Sequence, residues 1–79
     1  MTVKIYDLNE KEPLLKETVY NIASIYRYRR SSDGKEMLAI SSDITIRNAN
    51  DGRHFPIENT AFLLLSDDNN SKELDIMKY

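Results

Sequence analysis

The chain has 79 residues, of which 11 are basic and 13 acidic, so its formal net charge is −2. An acidic balance provides no general electrostatic attraction to nucleic acid. The sequence contains no cysteine, which argues against a disulfide-stabilised secreted domain and favours a cytoplasmic protein. No apolar stretch approaches the roughly 20 residues of a membrane span, and the first residues lack a signal-peptide pattern. We therefore expect one small domain over residues 1–79, without membrane contact.

The first segment with a regular pattern is residues 2–8, whose apolar side chains are typical of a strand. Residues 9–13 are charged and contain a proline, which indicates a surface connection. From residue 18 to 66 apolar and polar side chains alternate, as in strands, and Asp33-Gly34 and Asp51-Gly52 are strong hairpin signals. The pattern predicts an all-β fold, namely a three-stranded antiparallel meander with an added N-terminal strand.

The lengths of the two loops decide which residues of the meander face each other. The first is predicted to have three residues, 32–34, with Gly34 at positive φ, and the second two residues, Asp51-Gly52. Shifting a strand by one residue exchanges its faces, and both predicted loops put the same residues of the central strand on one apolar face. The resulting pairs are Tyr26–Ile40, Tyr28–Leu38, Leu63–Ile40 and Leu65–Leu38.

Small side chains fall at one level of all three predicted strands. Ser24, Ser42 and Ala61 lie opposite one another in this register and leave little bulk on the concave side. We interpret the row as the place where long strands bend strongly, so the sheet is expected to form a small barrel or sandwich. A closely packed partner segment is the other interpretation of the same row.

Two segments also fit a helix. Apolar residues at positions 15, 19, 22 and 26 match one helical face, although the β-branched and aromatic residues of 19–28 favour a strand. In the tail, Asn70 and Glu73 have the spacing of a helix capping box. A short terminal helix and a strand are both left open there.

Residues 26–30 interleave aromatic and basic side chains, a combination that a single-stranded nucleic acid would use for stacking and phosphate contacts. In the predicted register the rings face the core, whereas Arg27 and Arg29 lie on the other face. The remaining basic candidates lie apart, with Arg47 and Arg53 near the second turn and Lys35 beside the first. A single-stranded nucleic-acid-binding β domain is therefore the alternative function, and nucleic acid is a disfavoured partner.

Patterns for catalysis and metal binding are weak. His54 is the only histidine and there is no cysteine, which removes most nucleophile–base pairs; next to a turn, it is expected to be exposed. Asp43 and Glu58 are the candidate acid pair, but they lie two levels apart. Residues 67–71 have calcium-like spacing of oxygen ligands, yet lysines stand where such a loop needs glycine and glutamate. We expect no enzyme activity, no cofactor and no metal.

The remaining hypothesis is a non-catalytic protein–protein interaction module, such as a small subunit, adaptor or inhibitor. Open sheet edges and a partly apolar second face would suit a protein partner, including a second copy in a homodimer. Pro56 would blunt the edge of the third strand, so the first strand, residues 18–30, is the expected edge for an added strand. The candidate binding residues are Val19, Ile25, Arg27, Arg29, Met37, Phe62 and Leu64.

Overall fold

The computed structural model describes residues 1–42, 52–68 and 70–79. Within these ranges most of the chain is strand, which confirms the all-β prediction, and the predicted N-terminal strand is present. The described elements are β1 (Thr2–Asp7), β2 (Leu14–Val19), β3 (Ser24–Arg29), β4 (Glu36–Ser41), β5 (Arg53–Pro56), β6 (Thr60–Leu65), β7 (Ser71–Glu73) and a 3₁₀ turn (Ile76–Lys78).

These strands form two antiparallel sheets, a four-stranded sheet in the order β2-β1-β6-β7 and a three-stranded sheet in the order β3-β4-β5. The sheets pack face to face, because buried residues of both belong to one apolar cluster. The sandwich form of the fold prediction is therefore confirmed, and the described strands do not close into a barrel. The three-stranded sheet is a meander, but its strands differ from the predicted ones, and β1 belongs to the other sheet.

The core lies between the two sheets. Phe55 on β5 and Phe62 on β6 meet edge to face across this space, with ring centroids 6.2 Å apart. Such aromatic pairs add about 0.5–1.5 kcal/mol beyond the burial of their area. At one side of the sandwich the Glu17 carboxylate on β2 accepts from Arg53 Nε on β5 at 3.0 Å, which links the two sheets. The side chains with no exposed surface are Val3, Ile5, Leu38 and Ile40.

Two asparagines in the left-handed region divide the long strands predicted from the sequence. Asn21 has a φ of 54° and Asn59 a φ of 55°, a conformation that asparagine tolerates better than most residues. Asn21 lies between β2 and β3, and Asn59 between β5 and β6, so the predicted strands 18–30 and 55–65 each contribute to both sheets. The chain therefore changes sheets where continuous bent strands were expected.

The row of small residues proposed for the bend does not form. Ser24 lies opposite Ser41 rather than Ser42, and Ala61 lies opposite Tyr6 in the other sheet. The prediction was wrong because the first loop is longer than expected and because β6 leaves the three-stranded sheet.

The first hairpin confirms a positive φ at Gly34, 72°, but not the three-residue loop. The amide of Arg30 donates to the Lys35 carbonyl at 2.8 Å and the amide of Gly34 donates to the Arg30 carbonyl at 2.7 Å, which defines a four-residue loop, 31–34. The Asp33 carboxylate accepts from the Arg30 guanidinium at 2.6 Å and from the Lys35 amide at 3.1 Å. These hydrogen bonds, Arg30 first, lower the pKa of Asp33 to about 2.

The extra loop residue reverses the two faces of the first strand of this hairpin. Ile25 lies opposite Ile40, and Tyr26 lies opposite Ala39, so the predicted pairs Tyr26–Ile40 and Tyr28–Leu38 are wrong. Ile25 packs against the core cluster. The two tyrosine rings consequently lie on the side of the three-stranded sheet that faces away from the core.

The register between β4 and β5 differs from the one that the predicted two-residue turn would give. Phe55 lies opposite Leu38 and Arg53 opposite Ile40, so the predicted partners Leu63 and Leu65 are wrong. Gly52 has a positive φ of 82°. Asp51, the other residue of the predicted turn, lies outside the described residues, as do Asp43 and Arg47.

The tail contains a strand and then a short helical turn, so both alternatives occur in succession. β7 pairs with β6, and Leu74 behind it is buried. The N-cap of the 3₁₀ turn is Asp75, whose carboxylate accepts from the Met77 amide at 3.2 Å. The predicted capping box does not form, because Glu73 is part of β7. No helix among the described residues is long and apolar enough to cross a membrane.

Candidate interaction surface

Most of the apolar binding candidates point into the sandwich. Phe62 is only 2% exposed and belongs to the core cluster. Val19, Ile25 and Leu64 are partly buried and pack against the same cluster. Their predicted position on an accessible face is wrong. The register of β3 differs from the one predicted for the meander, and β6 belongs to the other sheet. Met37 faces away from the core, but it too is buried, with 3% exposed.

On the four-stranded sheet, the residues that alternate with the core residues form an apolar surface on the side away from the core. Successive side chains along β1 and β6 point to opposite faces of the sheet. Every second side chain, as at Val3 and Phe62, points into the core, and the side chains between them point outward. Cross-strand pairing joins Tyr6 to both Leu15 and Ala61. Leu15 is 47% exposed and the others are half-buried. We call this surface the outer face; its apolar residues are Tyr6, Leu15, Ala61, Leu63 and Leu65.

A groove runs along one part of the outer face. Its volume is about 490 Å³, and Ala61 and Leu63 contribute to its lining. Tyr6 and Pro13 also line it, as does the carboxylate-bearing Glu73 of β7. The outer face therefore offers an apolar groove, and Tyr6 forms part of its wall.

Three of the four sheet edges are less suited to binding than this face. The fourth, β3, belongs to the predicted edge strand 18–30 and is a regular six-residue edge of the three-stranded sheet. β2 carries a register irregularity opposite Ile5 and Tyr6, and such bulges twist an edge away from regular pairing. On β5, the amide of Ile57 donates to the Glu36 carbonyl at 3.1 Å, which makes Met37–Pro56 a non-hydrogen-bonded pair. The proline nitrogen therefore faces outward, as the sequence predicts. β7 has only three residues.

Three of the basic residues proposed for nucleic-acid binding are paired with carboxylates, and Arg47 lies outside the described residues. Arg27 and Arg29 share Glu36, with nitrogen–oxygen distances of 3.5 and 3.1 Å. Arg53 is paired with Glu17 on β2. Lys35 lies in the first loop, and its side chain forms no ion pair with another described residue. Little free positive charge is left for a phosphate backbone in this part of the chain.

The aromatic residues of the proposed nucleic-acid site lie on a different surface from the arginines. Tyr26 and Tyr28 stack with centroids 5.9 Å apart, on the side of the three-stranded sheet away from the core. The rings and the arginines lie on different faces, as predicted. The faces are exchanged, however, because the rings were expected to face the core. A stacked pair without adjacent free cations is a weak site for single-stranded nucleic acid.

His54 is half-buried rather than exposed as expected. Its Nδ1 lies 3.0 Å from the Tyr28 hydroxyl, and its ring meets that of Tyr28 edge to face. Nε2 is buried and has no hydrogen-bond partner in the described part of the chain. No group of three or more histidine, cysteine or acidic side chains that could hold a metal occurs among the described residues. Among the described residues, the ring and hydrogen-bond contacts given for His54 are with Tyr28.

Comparison with known proteins does not assign the chain to a family. No family model matches it, and neither curated proteins nor solved structures include a match. Its function is therefore inferred from the outer face and from the charges around it.

Proposed function

We propose that this protein is a non-catalytic protein–protein interaction module, a small subunit, adaptor or inhibitor, that binds its partner through the outer face. The observation that carries the proposal is the contiguous set of apolar side chains on the side of the four-stranded sheet away from the core. Contiguous apolar surface on a small protein marks binding sites more often than isolated exposed residues do. Tyr6 is of the residue type enriched at the centres of interfaces.

Two further observations support a binding role. The single histidine of the chain is engaged with Tyr28, and the sequence has no cysteine, so the usual nucleophile–base pairs are not available. The same lack of cysteine supports the cytoplasm as the location that we propose. Three of the four open edges, β2, β5 and β7, are irregular, proline-blocked or short, which disfavours strand addition there. β3 is the edge at which strand addition remains the alternative to the outer face.

The proposed function predicts that a charge at the centre of the outer face abolishes partner binding without unfolding the protein. Leu63→Asp would bring a carboxylate into an apolar contact, where it would lose its hydration without a partner. Tagged wild-type protein and the variant should be compared for proteins retained from the native host. We expect one or more proteins to be retained by the wild type and lost with Leu63→Asp.

The matched control is Met77→Asp, because Met77 is 81% exposed and lies on the 3₁₀ turn, away from the outer face. It should retain the same proteins as the wild type, and circular dichroism should show all three proteins folded. Retention of an identical set of proteins by Leu63→Asp would show that the outer face is not the binding surface.

A further inference from the structure

We propose that the occupant of the outer face is a second copy of this chain, packed face to face across a two-fold axis that runs parallel to β6. This inference rests on the proposed function and identifies its partner. It comes from one row of the four-stranded sheet, in which Lys4 on β1 and Glu73 on β7 both lie opposite Leu63. The row thus carries a positive charge on one side of a central leucine and a negative charge on the other.

These two charges have no ion-pair partner among residues 1–42, 52–68 and 70–79. Neighbouring strands lie about 4.8 Å apart, so the two backbones are separated by on the order of 10 Å with Leu63 between them. A lysine and a glutamate therefore border the apolar centre of the surface on opposite sides.

A two-fold axis parallel to β6, passing above Leu63, converts this arrangement into complementary contacts. The rotation reverses the left-to-right order of the strands, so β1 of one copy lies over β7 of the other. Lys4 then faces the partner's Glu73, and the same contact occurs a second time by symmetry. An axis perpendicular to the strands would instead put Lys4 on Lys4. Charge complementarity therefore selects one of the two face-to-face arrangements.

The same rotation also matches shape. Tyr6 lies opposite Ala61, one row from Leu63, and the described pairing of β7 ends at Glu73, with no β7 residue opposite Ala61. The rotation carries Tyr6 to the partner's groove beside Ala61. Leu63 and Leu65 meet their own symmetry copies on the axis. One symmetry operation thus pairs the charges, fills the groove and covers the leucines, as a stable isologous interface requires.

Charge reversal provides the test, with dimer dissociation measured by sedimentation equilibrium at low ionic strength, where pairs at an interface are least screened. Lys4→Glu and Glu73→Lys each replace two attractive contacts by two repulsive ones. Each single variant should raise the dimer dissociation constant by about tenfold or more. The double variant Lys4→Glu with Glu73→Lys restores opposite charges and should return to within about threefold of the wild type.

The alternative outcomes overturn the inference in distinct ways. A wild type that is monomeric at every concentration up to roughly 1 mM contradicts the homodimer. If Leu63→Asp then still loses a retained host protein, the proposed function stands with a different partner. A dimer that both single variants weaken but the double variant does not restore contradicts the two-fold arrangement. A dimer unchanged by the charge variants and by Leu63→Asp contradicts the use of the outer face for self-association.

Discussion

Replacing Phe62 by alanine is expected to lower the free energy of unfolding by about 3–5 kcal/mol, as for other large-to-small changes in a packed core. Phe62 is 2% exposed and its ring meets Phe55 across the two sheets, so the truncation leaves a cavity between them. Leu63→Ala, one residue further along β6, should cost no more than about 1 kcal/mol when measured on the monomer, because that side chain is half-buried on the outer face. Urea denaturation followed by circular dichroism measures both.

A 79-residue protein has little stability to lose, and Phe62→Ala could leave it unfolded in buffer. Phe62→Leu keeps an apolar side chain there and should give a measurable loss of about 1–2 kcal/mol. A larger loss for Leu63→Ala than for either Phe62 variant would mean that the two faces of β6 are assigned in reverse.

Gly52→Ala should lower the free energy of unfolding by about 2–4 kcal/mol, since it adds backbone strain to a steric clash. Gly52 has a φ of 82°, which disfavours any L side chain. A Cβ there would lie 2.9 Å from the carbonyl oxygen of Ile40 and 3.2 Å from Cβ of Ser41. Both neighbours belong to β4, which the three-stranded sheet holds in place on both sides.

Gly34 provides the matched control for that clash. It also has a positive φ, 72°, but a Cβ there would meet no atom within 4 Å. Gly34→Ala should therefore show only the conformational cost, about 1–2 kcal/mol. Equal losses at the two positions would mean that the β4 backbone does not approach Gly52 as closely as described.

The sequence was sufficient to predict the features that depend on local chemistry. Alternation and β-branched residues indicated an all-β chain with an N-terminal strand, and Asp33-Gly34 indicated a turn with glycine at positive φ. Pro56 was correctly expected to have its nitrogen at an outward edge. Each of these predictions needs only a few neighbouring residues, whose conformational preferences are strong.

The faces of the strands could not be predicted, because β6 is apolar on both sides. Its residues 61–65 are Ala-Phe-Leu-Leu-Leu, so alternation does not indicate which residues are buried. In β3, Tyr26 was as plausible a core residue as Ile25, and one additional loop residue decided between them. The outer face was missed for this reason, since Leu63 had been assigned to the core.

The sequence contains a signal for the division of the long strands, namely two asparagines. Asn21 interrupts an apolar run and Asn59 lies in the polar segment 58–60. Asparagine is one of the few residues that adopts the left-handed conformation readily. Treating them as turns would have separated β2 from β3 and β5 from β6. The partition into two sheets, by contrast, depends on pairing between distant segments, such as that of β1 with β6.

The orientation of β6 determines whether Leu63 is available to a partner, and nuclear Overhauser effects between side chains measure that orientation directly. The structure predicts strong effects between the ring protons of Phe55 and Phe62, whose centroids lie 6.2 Å apart. It also predicts backbone contacts between Ile40 and Arg53. Strong effects between the side chains of Leu63 and Ile40, with none between the two phenylalanine rings, would instead show a continuous meander and contradict the outer face as a binding surface.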